Sequence, residues 1–105
     1  MPGTVLAAGV VGFAASVAVG LCAVTAAAVA SQRIAGAADA AALAAADTAS
    51  GAASGIACDR AAEIADAAGA RVVSCEVDGL IATVSVAGSF GVSDLTAWAR
   101  AGPQP

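Results

Sequence analysis

The sequence contains no histidine and no lysine, and its first charged side chain is Arg33. Without histidine the chain lacks the commonest general base and the commonest metal ligand. Eight acidic residues stand against four arginines, for a net charge of -4, so no basic face is available for nucleic acid. Aromatic residues are limited to Phe13, Phe90 and Trp98, which argues against base-stacking platforms and aromatic-lined ligand pockets. The GVVG stretch, Gly9 to Gly12, lies inside an apolar run and lacks the strand-to-helix context of a phosphate loop. Asp59, Glu63 and Asp66 share a helical surface, but beside Arg60 on a short amphipathic helix they read as a solvated face rather than paired carboxylates. No enzyme activity, cofactor, metal or small-molecule substrate is therefore expected. At 105 residues the chain holds one domain at most. The composition points to a structural or interaction role.

What is present begins with a long apolar run. Thr4 to Ala30 spans 27 residues without a charge, about 40 Å as a helix, where a bilayer core needs about 20 residues. Its polar members Thr4, Ser16 and Thr25 can bond back to the helix's own carbonyls, so a transmembrane helix is expected over residues 1–32. A cleaved secretory signal is the alternative, because Ala28, Val29 and Ala30 before Ser31 satisfy the small-x-small rule. The length of the run and the lack of Lys or Arg before it favour a retained span. Ala8, Gly12, Ser16 and Gly20 recur every four residues, a small-residue stripe along which another helix could approach closely. Cys22 reads as a small hydrophobe within the run.

The next stretch, RIAGAADAAALAAAD from Arg33 to Asp47, is nearly pure alanine, with no proline and one glycine, so the helix is expected to continue through residues 33–50. Ile34 and Leu43 are its only large apolar residues. Such a thin helix offers little to bury on a core of its own and suits packing between neighbouring helices. The segment Ala37, Ala38, Asp39, Ala40, Ala41, Ala42, Leu43, Ala44, Ala45 and Ala46, following a single apolar span and an arginine, resembles the N-terminal signature of TadE/TadG-like proteins of tight-adherence (Flp-type) pilus assembly. The layout is most similar to short actinobacterial TadE-like proteins that end in a small two-cysteine domain. The resemblance implies a pilin-like or secretion-associated membrane protein whose partners are other pilin-like or Tad secretion-system proteins. The glutamate that many type IV pilin-like precursors carry five residues after the processing glycine has no counterpart after Gly3.

The remainder reads as a linker over 51–57, a head module over 58–100 and a frayed tail over 101–105. In ACDRAAEIADAAGA, Ala57, Ala61, Ile64, Ala65 and Ala68 fall on one helical face, and Gly69 is placed to cap the C-terminus. Arg71 to Val77 alternates, and Asp78-Gly79 is a strong hairpin signal before LIATVSV. A loop at these two residues would oppose Val77 to Leu80, Cys75 to Ala82 and Val73 to Val84, all on one face. The fold class expected is α+β, a long N-terminal helix followed by an α-β-β module. Fewer than 50 residues rarely bury enough apolar surface to stand alone, and a Cys58–Cys75 disulfide would supply the difference. In the tail, Ser93 with Asp94 suggests a short capped turn of helix, and Trp98 is expected to pack back on the module.

The topology signals conflict. Arg33 flanks the span on its C-terminal side, which by the positive-inside rule favours a cytoplasmic head. A disulfide requires an oxidising compartment. The cysteines and the resemblance together favour a cytoplasmic N-terminus and an extracytoplasmic head. The resulting expectation is a structural cell-envelope protein acting by helix packing, with a small secreted binding module, cut after Ala30, as the alternative.

Overall fold

The computed structural model describes residues 2–103, so Met1 of the expected span and Gln104 and Pro105 of the expected tail lie outside it. One helix, α1, runs unbroken over Pro2–Ala49. Its 48 residues would measure about 72 Å at 1.5 Å each, and the longest dimension of the molecule is 75 Å. No proline interrupts it after Pro2, which occupies the first position, where the missing N–H is harmless. The membrane-like run and the alanine stretch are thus one rod.

A turn through Gly51 and Gly55, both at positive φ, leads into α2, Ala57–Ala67. Its end is closed by a Schellman arrangement: Gly69 N–H donates to the Asp66 carbonyl at 3.0 Å and Ala70 N–H to the Ala65 carbonyl at 2.9 Å. Gly69 supplies the required positive φ of 76°. Ala61 and Ala65 are buried, Ala57, Ile64 and Ala68 are half-buried, and Asp59, Glu63 and Asp66 face outward.

Three antiparallel strands complete the head in the order β1 (Arg71–Asp78), β2 (Ile81–Phe90), β3 (Ser93–Ala101). The architecture is α+β, as the sequence implies, with one strand more than expected. Ser93 opens β3 rather than a turn of helix. Gly91, at φ 61°, starts a two-residue loop that folds β3 back on β2 with Phe90 opposite Ser93.

The first hairpin also differs in register. Its loop is Gly79-Leu80, not Asp78-Gly79, and Asp78 pairs with Ile81. Gly79 takes φ 62° at the first loop position, as a type II′ turn requires. Moving the loop by one residue shifts both strands together, so inward and outward faces are preserved. Cys75 meets Val84 and Val77 meets Ala82. Val73 leaves the predicted inward set, because an irregularity between Val72 and Ser74 turns it outward and hands its inward place to Val72. Val77 and Leu80 remain exposed at the far end of the hairpin.

One face of the sheet packs on the C-terminal half of α1 and on α2. Eleven of the fourteen buried core residues are alanine, among them Ala37, Ala38, Ala41, Ala42 and Ala45 of α1 against Ala82, Val84, Val86 and Ala99 of the sheet. Val84 and Val86 are the largest fully buried side chains. A core of methyl groups allows close approach but removes little apolar surface per residue. The Cys58–Cys75 disulfide, with Cα atoms 5.9 Å apart, joins the start of α2 to the edge strand β1 and adds the constraint that this thin core lacks.

Candidate interaction surfaces

The alanine stretch is divided by its own periodicity. Ile34, Ala37, Ala38, Ala41, Ala42, Ala45 and Ala46 are buried under α2 and the sheet, while Asp39, Ala40 and Leu43 are exposed and Ala44 is half-buried. The methyl stripe expected to suit a neighbouring helix is therefore occupied by the chain's own head. What it leaves available is the opposite side, marked by Asp39, Leu43 and Asp47.

The N-terminal half of α1 is bare. Every residue from 2 to 29 is exposed, the best 18-residue window has a mean hydropathy of 2.3, and none of that window is buried. The helix is long and apolar enough to cross a membrane. Its polar groups are turned inward on its own backbone: Ser16 Oγ donates to the Gly12 carbonyl and Thr25 Oγ1 to the Leu21 carbonyl, each at 2.9 Å. The surface offered is large and apolar, including Leu6, Phe13, Val19 and Leu21.

Ala8, Gly12, Ser16 and Gly20 lie exposed along this bare half. A Cβ added at Gly12 or Gly20 would meet nothing within 4 Å. Each helical glycine costs about 1 kcal/mol relative to alanine, and nothing in the chain's own packing requires either one, as is also true of Gly3, Gly9 and Gly36. Cys22 is a free, exposed thiol on the same segment.

The acidic face of α2 behaves as a solvated surface. Arg60 Nη1 lies 2.7 Å from Glu63 Oε2 in an exposed i,i+3 pair, worth a few tenths of a kcal/mol, on the order of other surface helix pairs. Asp59, Glu63 and Asp66 border a shallow, open depression with Arg71. Among the described residues no group of three His, Cys, Asp or Glu side chains is placed to hold a metal ion.

Trp98 does not pack back on the module. It stands on the outer face of β3, opposite Ser85 and 69% exposed. The alternation that buries Ala99 and half-buries Ala97 against α1 turns Trp98 away from it. At the Phe90 end of the sheet a crevice of about 390 Å³ separates α1 from the β2–β3 hairpin, lined by Ala26, Val29, Arg33, Ile34, Gly69 and Phe90 among others. Sequence reasoning missed this junction; its signal was a glycine, Gly88, within an otherwise continuous strand pattern.

Comparison with protein-family models, curated proteins and solved structures finds no match.

Proposed function

We propose that the chain is a structural protein of the cell envelope, a TadE-like minor pilin or pilus-assembly or secretion-associated component, that acts by packing its N-terminal helix against other helices. The observation that carries this reading is the burial boundary on α1. From Ile34 onward the helix is the spine of the head, whereas residues 2–29 are apolar and exposed. One rigid rod thus joins a membrane-compatible segment to a folded head. Residues 2–29 would be stored in the bilayer, with the N-terminus cytoplasmic and the disulfide-bearing head outside. Gly12 and Gly20, within the exposed small-residue stripe, would allow the close approach that helix association in a membrane uses.

Cysteine scanning tests the packing mechanism. Single cysteines placed from Val5 to Val24 in a Cys22→Ser background are oxidised in membranes. Cross-linked dimers should peak at Ala8, Gly12, Ser16 and Gly20 with helical period. A flat profile, or none, would refute helix association through this face.

The second reading, a secreted binding module cut after Ala30, draws on the same boundary. Burial on α1 begins at Ile34, so cleavage before Ser31 would leave the core of the head intact. The anchored reading is preferred because the uncharged run of 27 residues is about twice the length of a signal-peptide core of roughly 7 to 15 residues.

A further inference from the structure

We propose that the tip of the β2–β3 hairpin, Phe90 to Val92, is a second membrane contact, seated in the phospholipid interface beside the point where α1 leaves the bilayer. The inference rests on the reading of α1 as a membrane span. Gly88 lies directly against Ile34. Two residues farther along the strand is about 7 Å, which on the helix corresponds to four or five residues. Phe90 is thereby carried past the end of the head to the level of Val29 and Ala30, and it lines the same crevice as those residues. Phe90 is 38% exposed, and Val92, in the loop itself, is fully exposed.

The uncharged run of 27 residues, at about 40 Å, matches the thickness of a bilayer with its interfacial layers, about 40 to 45 Å. Its last turns, Ala26 to Ala30, then lie in the interfacial layer, and the hairpin tip lies there with them. The residues at this level suit that layer. Phe90 and Val92 offer apolar groups to the acyl-chain boundary. The exposed Arg33 opens on the same crevice and can meet lipid phosphates. The nearby acid on the hairpin, Asp94, lies 3.6 Å from Arg71, which offsets its repulsion of an anionic surface. A helix alone would leave the head free to tilt and roll with the rod; a second contact would fix both.

Depth-dependent fluorescence quenching tests this with the full chain in phosphatidylcholine vesicles carrying brominated acyl chains. In a Trp98→Phe background, Val92→Trp should emit blue-shifted and lose at least half its intensity to lipids brominated near the headgroup. Native Trp98 in the parent chain, on the outer face of the sheet, should not be quenched. Phe13→Trp in the same background reports on the span and should be quenched most by deeply brominated lipids. Quenching at Phe13→Trp without quenching at Val92→Trp would overturn the hairpin contact and leave the span standing. A blue shift at Val92→Trp without quenching would mean that protein covers the tip, which also overturns the proposal. Absence of quenching at Phe13→Trp would overturn the span itself and the inference with it.

Discussion

Ile34 is seated directly on Gly88: a Cβ on the glycine would overlap Cδ1 of the isoleucine and stand 3.3 Å from its Cγ1. Ile34 is also the first buried residue of α1. The contact therefore marks where the bare helix ends and the head begins. Replacing Gly88 with alanine should destabilise the head by about 1–3 kcal/mol, the usual range for overpacking. The same change in an Ile34→Val background, which removes Cδ1, should cost distinctly less. Denaturant titrations of the four variants in detergent would measure the coupling, and simple additivity would show that the two residues do not compete for space.

The alanine stripe carries a contrast between neighbours on one helix. Ala41 is fully buried and Ala40 is exposed. Ala41→Leu should destabilise the head by about 1–3 kcal/mol through overpacking, whereas Ala40→Leu should stay within about 0.5 kcal/mol. Thermal unfolding followed by near-ultraviolet dichroism would separate them. Equal effects would mean that the stripe is not packed on the sheet.

The disulfide closes a sequence separation of 17 residues, for which chain entropy gives about 3 kcal/mol. Paired Cys58→Ser and Cys75→Ser changes should lower head stability by that order, and Cys22→Ser should have no effect on it. Melting with and without reductant provides the check.

A chain beginning at Ser31 retains every buried residue of α1. It should fold with its disulfide and remain monomeric without detergent, while the full chain requires one. Sedimentation of the two forms tests this, and an unfolded short form would mean that residues before Ser31 support the head.

Much of this architecture was legible because the signals were strong and local. The uncharged run and the alanine stretch contain no proline, and alanine outweighs their few glycines, so a continuous rod was expected. Gly69 and the two cysteines likewise announced their places. The first hairpin was readable by face but not by loop, because Asp78-Gly79 and Gly79-Leu80 both place a glycine where φ can be positive. Strand β3 was missed although Leu95, Ala97, Ala99 and Ala101 alternate with Thr96, Trp98 and Arg100. Alanine gives that alternation little contrast, and the Ser93-Asp94 pair resembles a helix start. Trp98 was misplaced as a consequence, since only a strand turns it outward. The destination of Ala37 to Ala46 was hidden for a related reason: nearly every position is a methyl group, so periodicity alone cannot choose between a partner helix and the chain's own sheet. The Phe90 and Val92 tip depends on that same register and becomes visible only once Ile34 is seen on Gly88.

The most direct test of the anchored, externally facing protein is its intact mass after extraction from membranes, with free thiols alkylated and no reductant added. The account predicts a species that retains Thr4 to Ala30 and carries one alkyl group, on Cys22, with Cys58 and Cys75 joined. A chain beginning at Ser31 would contradict it in favour of a secreted module, and alkylation of all three cysteines would contradict the external placement of the head.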